Sequence, residues 1–177
     1  LVAIRTIITG IFLLIAGFNK LKTIDKPQWK WIGLSGLLGS FFPAFLFAIA
    51  ETEIDSAVAS ILNSLVPLNT ILLGFAVFKI ASTKRQVLGV IIGFIGTAIL
   101  ILKGAELNPE QNYLYAGFVI LSTIMYAINV NIIKRYLQHV KPLGIATGNY
   151  VAIILPAFIV LLFTDFFSET TFENVHP

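Results

Sequence analysis

Residues 51–102 read ETEIDSAVASILNSLVPLNTILLGFAVFKIASTKRQVLGVIIGFIGTAILIL. Three carboxylates, Glu51, Glu53 and Asp55, precede an apolar run over 56–78. Lys79, Lys84 and Arg85 then separate it from a second apolar run over 86–102. As a helix the first run spans the roughly 30 Å of a bilayer's hydrocarbon core with modest tilt, and the second is marginal. Basic loops stay on the cytoplasmic side of a membrane, so 79–85 is expected inside and 51–55 outside. The short acidic link also predicts that the two spans flanking it form a tight hairpin and pack as antiparallel neighbours.

The same reading extends to both ends of the chain. Apolar runs over 1–18, 31–50, 113–133 and 143–163 bring the candidate spans to six. Lys20, Lys22, Lys26 and Lys30 follow the first span, and Lys134, Arg135 and Lys141 follow the fifth. Glu106 and Glu110, then Asp165, Glu169 and Glu173, occupy the remaining loops, and only Asp25 and Lys103 break the alternation. Loops 20–30, 79–85 and 134–141 are therefore expected in the cytoplasm, with both chain ends outside. Trp29, Trp31, Tyr113, Tyr115 and Tyr136 stand at or beside span ends, where amphipathic rings anchor helices at the interface.

Composition agrees. Hydrophobic residues make up 57% of the chain and charged residues 12%, about half the charged share of a soluble domain. A soluble core of this size cannot hide so much apolar surface, so the partner that solvates it is the lipid bilayer. The net charge of +3 lies in loops between apolar runs, which gives no reason to expect a nucleic-acid partner. Without a single Cys there are no disulfides, thiolate nucleophiles or Cys-ligated metals. No metal or other cofactor is expected. Leu1 already lies inside an apolar run with no Met before it, so the chain is expected to be a fragment. The polar and aromatic stretch 164–177 suits either an interrupted loop or a tail.

Small residues recur at intervals of three and four in two spans: Gly33, Gly36 and Gly39, then Gly89, Gly93 and Gly96. That spacing predicts close helix packing. The third span carries a polar stripe instead. Ser56, Ser60, Asn63, Pro67, Thr70 and Gly74 share one helical face, with Ser64 and Asn69 on its flanks. Pro67 cannot donate to the carbonyl of Asn63, Pro43 frees that of Gly39, and Pro156 that of Ala152. An unpaired carbonyl at that depth needs either a protein partner or a wet cavity, so the stripe is a helix contact or a cavity wall. In the fifth span Ser122, Tyr126 and Asn129 share a face beside Thr123. Thr147, Asn149 and Tyr150 open the sixth. Hydroxyls and amides of this kind predict a polar, uncharged cavity for a neutral or zwitterionic solute. Its candidate wall is Ser60, Asn63, Pro67, Thr70, Tyr126, Asn129 and Asn149. Arg5, the lone ionisable residue within a span, is read as snorkelling or structurally paired, with contact to an anion as the functional alternative.

The order and spacing of these features resemble the EamA-type transporters of the drug/metabolite transporter superfamily. The carrying residues are AIAETEIDSAVASILNSLVPLNTILLGFAVF over 48–78 and KRQVLGVIIGFIGTAILILKG over 84–104, with Ser56, Ser60, Pro67, Arg85, Gln86, Gly89, Gly93 and Gly96 at the key positions. One departure is the lack of an acidic residue over 78–82, just after the Pro-bearing span. The resemblance implies an all-α polytopic transmembrane bundle of ten spans in two inverted five-helix repeats. On that scheme 1–108 holds the last four spans of the first repeat and 109–177 the first two of the second. Residues 1–15 can be laid on 145–159, with Arg5 on Asn149, and the loop charges run the two spans in opposite directions. The implied setting is a bacterial inner (cell) membrane, with a homodimer as an admissible assembly.

These readings predict a secondary transporter that moves a small-molecule solute, a metabolite or drug, by alternating access around a midplane polar cavity. The competing readings are a non-transporting membrane scaffold or sensor subunit and, more remotely, an intramembrane enzyme. The enzyme reading is weakened because His139 and His176 fall in loops on opposite sides of the membrane and no span holds paired carboxylates.

Overall fold

A computed structural model describes residues 1–107 and 112–164 of the chain. It is all helical over these residues, and the six candidate spans become six helices. They are α1 (Val2–Leu21), α2 (Lys26–Ala50), α3 (Ser56–Ala76), α4 (Lys84–Leu107), α5 (Ala116–Tyr136) and α6 (Pro142–Leu162). A one-turn 3₁₀ segment, Tyr113–Tyr115, leads into α5. By length and composition, α1, α2, α3, α5 and α6 are each long and apolar enough to cross a membrane. The 24 residues of α4 correspond to about 36 Å at 1.5 Å per residue. The acidic side chains of Glu106, Glu110, Asp165, Glu169 and Glu173, and the tail beyond Thr164, lie outside the described residues.

Local chemistry sets the helix ends. Asp25, one of the two exceptions to the charge alternation, stands at the N-cap of α2, where its N–H donates to Gln28 Oε1 at 3.0 Å and Pro27 opens the first turn. Thr83 and Gln86 form the equivalent bracket before α4, with Thr83 N–H donating to Gln86 Oε1 at 2.8 Å. Lys141 precedes Pro142 at the start of α6.

Helix α1 packs on α6 with facing pairs that advance in opposite directions: Gly10 meets Ile154, Gly17 meets Thr147, and Lys20 lies against Gly144. A Cβ on Gly17 would overlap Thr147 Oγ1, so the close approach depends on glycine there. The first part of α2 also lies on α6, where a Cβ on Gly36 would stand 2.7 Å from the Asn149 carbonyl oxygen. Further along, α2 changes neighbour and packs on α5. The exchange falls at a π turn, Leu37–Phe41, in which Phe42 N–H bonds Leu37 O. Pro43, fully buried, follows immediately, so the break that proline imposes is met by one wide turn.

The hairpin expectation needs correction. Helices α2 and α3 are joined by a short link but do not lie side by side, because α5 runs between them and takes both as partners. On one side Ser35 of α2 bonds Asn129 of α5. On the other, Asn69 and Thr70 of α3 bond Thr123 and Asn131. Polar pairs on opposite faces of α5 thus hold it as a wedge. Below the link the three helices share a cluster of Ala50, Ile54, Ala59, Leu62, Ala116 and Val119. A second cluster, including Ile32, Ile132, Leu137 and Ile145, closes the end that carries the basic loops.

The glycine expectation divides. Gly36 and Gly39 are packed, against α6 and against Asn129, and Gly93 of α4 rests on Leu68. A Cβ on Gly89 or Gly96 would meet nothing within 4 Å, because α4 packs almost wholly on α3 and presents its other faces outward. The interfacial aromatics do more than anchor: Trp31 of α2 stacks on Tyr136 of α5 with ring centroids 3.8 Å apart, and Lys30 Nζ lies 5.0 Å from the Trp31 ring.

Candidate functional site

The separation of α2 from α3 leaves a cavity of about 380 Å³ near the acidic link. Helix α1 contributes Leu1, Val2 and Arg5. Helix α2 contributes Ala44, Phe47 and Ala48, with Glu51 at its C-cap, and Asn63 and Tyr126 come from α3 and α5. The Tyr126 ring leans on Phe47 with centroids 6.4 Å apart. This fixes the ring of a half-buried tyrosine while its hydroxyl remains able to donate or accept. Asn63 lies one residue before the break in α3 at Ser64, whose Oγ donates to Ile61 O at 2.6 Å. That interruption, three residues ahead of Pro67, absorbs the bond that proline cannot make.

Three of the residues singled out in the sequence, Arg5, Asn63 and Tyr126, are therefore brought together. Ser60 and Pro67 flank Asn63 on the same exposed face of α3, and Thr70 is half-buried, its hydroxyl donating to Val66 O at 2.7 Å. The structure places Asn129 and Asn149 elsewhere. Ser35 Oγ donates to Asn129 Oδ1 at 2.6 Å. Asn149 is buried between α2 and α6; in the amide orientation that satisfies its surroundings, Nδ2 donates to the carbonyls of Ile32 (3.0 Å) and Ile145 (3.1 Å) and Oδ1 faces Ser35 Oγ at 3.2 Å. These two amides tie α2 to α5 and to α6. Ser122 and Thr147 are likewise buried, donating to Phe118 O and Leu143 O within their own helices.

The cavity also departs from the expected uncharged character, since Arg5 and Glu51 both line it. Both sit at helix ends, where a charge keeps part of its hydration, and this is why the bundle can carry them. Among the described residues the two do not form an ion pair, so both charges are available to a ligand. Glu51 reads in sequence as a loop carboxylate that reports only orientation. Its place in the cavity follows from the wedge position of α5, which no local pattern encodes.

Four polar residues that organise the bundle stand outside the candidate list: Ser35, Asn69, Thr123 and Asn131. Asn69 Nδ2 donates to Thr123 Oγ1 at 2.9 Å, and Asn131 Nδ2 donates to Thr70 O at 3.0 Å and to Ala127 O at 2.9 Å. All four are buried. The available signal is that an isolated amide in an apolar helix must find a partner in a neighbouring helix.

A model of the EamA-like transporter family matches residues 1–102. An uncharacterised transporter of Archaeoglobus fulgidus is 26% identical over 141 residues, covering 79% of this chain and 48% of the relative. The uncharacterised transporter YyaM of Bacillus subtilis is 27% identical over 148 residues, covering 80% of this chain and 48% of that protein. The chain thus spans about half the length of the curated relatives it matches. No solved structure matches it significantly. With more than half of its residues matched by the family model, this integral membrane chain belongs to the EamA-like transporter family.

Proposed function

We propose that the chain forms one wall of the solute path in a secondary transporter that works by alternating access. The observation that carries this is the convergence of Arg5, Glu51, Asn63 and Tyr126 on one cavity. A cavity with one cationic, one anionic and two hydrogen-bonding groups fits a small polar or zwitterionic solute. The exposed stripe of Ser60, Asn63 and Pro67 continues from it along α3, offering polar contacts along the path. Family membership and the names of the relatives support transport as the activity of the whole protein.

The proposed architecture has ten spans in two inverted repeats. Residues 1–108 belong to the first repeat and 109–177 to the second, a division supported by a family match that ends at residue 102. The basic loops face the cytoplasm of a prokaryotic cell. The test begins with solute-dependent thermal stabilisation of the purified full-length protein across a panel of small polar metabolites. In proteoliposomes, Asn63→Leu is then expected to abolish transport of the stabilising solute while membrane insertion survives. Unchanged transport would remove Asn63 from the path. A panel without a single stabilising solute would favour a non-transporting scaffold.

A further inference from the structure

Helix α4 is the least packed of the six, and what it leaves open has a definite chemistry. Between α3 and α4 runs a slot of about 250 Å³ lined by Ile71, Leu72, Phe75, Val87, Val90 and Ile91, with Ser82 at its end. A second space of about 260 Å³ shares Phe75 with it and brings Lys79 to the mouth, beside Ala76, Ile80 and Ala81. The two spaces adjoin at Phe75 and together make up the groove considered below, beside the basic loop over 79–85.

A lysine stands at the edge of the second space. Lys79 takes a left-handed backbone conformation, φ 56°, that turns the chain off the end of α3. Ile80 N–H bonds back to Gly74 O at 2.8 Å. Lys79 Nζ donates to Ala76 O at 3.3 Å, which leaves two of its three N–H groups free. Lys84 and Arg85 are exposed on the first turn of α4, which the Thr83–Gln86 bracket caps. No carboxylate occurs anywhere over 77–102, and among the described residues none of these three cations is in an ion pair.

We propose that this groove is a binding site for one anionic phospholipid. One acyl chain lies between α3 and α4, and the phosphate is held by Lys79, Lys84 and Arg85. A guanidinium and two ammonium groups within seven residues of sequence match a phosphate in charge. The apolar slot supplies what a free phosphate would not need. A lipid is favoured over a packed helix by the lysine at the edge of this apolar lining, with no carboxylate near it in sequence.

The test uses the full-length protein in nanodiscs of equal parts phosphatidylglycerol and phosphatidylcholine, with native mass spectrometry reading which lipid stays bound after partial delipidation. The wild type is expected to retain phosphatidylglycerol in preference by about tenfold or more, given the attraction of each basic residue for anionic lipid. Lys84→Gln with Arg85→Gln should bring the ratio close to parity. Lys134→Gln with Arg135→Gln, at the same end of the bundle but outside the groove, should leave it unchanged. Leu72→Trp should fill the slot and lose the bound lipid with all cations intact; Ile91→Phe serves if the larger change disturbs folding. An equal effect from the pair at 134 and 135 would reduce the site to diffuse charge attraction and overturn the proposal. So would retention of phosphatidylglycerol in the filled-slot variant, or no lipid preference in the wild type.

Discussion

Asn131 divides its amide between two carbonyls, one on its own helix at Ala127 and one across the interface at Thr70. The space for it comes from Gly74, where a Cβ would stand 2.9 Å from Asn131 Oδ1. Interhelical bonds in membranes contribute about 0.6 kcal/mol on average and up to about 1.7. Asn131→Leu, similar in volume, should therefore cost about 1 kcal/mol in the free energy of unfolding, measured by titration in mixed micelles. A variant as stable as the wild type would show that the Thr70 contact does not hold α3 to α5. Ser35 makes the same point from the other side of α5. Its single proton can serve one of two neighbouring amides, Asn129 or Asn149, at a time. The sequence shows which way each polar residue points on its helix, since spacing fixes direction. It does not show what stands opposite. Asn63 and Tyr126, which line the cavity, each stand on a face that the polar spacing marks. The spacing puts Asn129 on the same face of α5 as Tyr126, yet it meets Ser35, because only the packing decides where along a face the cavity stops and the interface begins.

The charged loops mark where the helices end, and the six apolar runs differ from the observed helices by at most five residues at either end. What no run of sequence could give was the position of α5 between α2 and α3, which depends on pairs nearly a hundred residues apart such as Ser35 and Asn129. The π turn in α2 belongs to the same scale. Its first part packs on α6 and its last part on α5, so the wide turn at Leu37–Phe41 lies where one helix serves two sets of neighbours. A proline at 43 removes the amide that would otherwise close a regular turn there. Pro43→Ala restores that amide and should convert the segment towards an α-helix. Slower amide hydrogen exchange over residues 38–45 of the full-length protein, relative to wild type, is the expected readout. Exchange as fast as before would mean that the Gly36 and Gly39 contacts, rather than proline, set the turn.

For the whole molecule, the alternation of loop charge has a structural counterpart. Helices α1 and α6 pack antiparallel, with Lys20 against Gly144, and Trp31 stacks on Tyr136, so the loops holding Lys20 to Lys30 and Lys134 to Lys141 meet at one end of the bundle. The cavity with Glu51 opens near the other. Which end faces the cytoplasm rests on the excess of Lys and Arg, and that assignment can be tested directly because the chain contains no Cys. Single cysteines at Thr52, in the acidic link, and at Gln138, in the basic loop after α5, sit at exposed positions on opposite ends. In intact cells a membrane-impermeant maleimide is expected to label Thr52→Cys and to spare Gln138→Cys until the cells are opened. The reverse pattern would invert the bundle and place the cavity mouth with Arg5 and Glu51 on the cytoplasmic side. Labelling of both would contradict a fixed orientation of these six helices. The expected pattern puts the cavity mouth outside and the groove between α3 and α4 at the cytoplasmic leaflet, where anionic lipid is available to Lys79, Lys84 and Arg85.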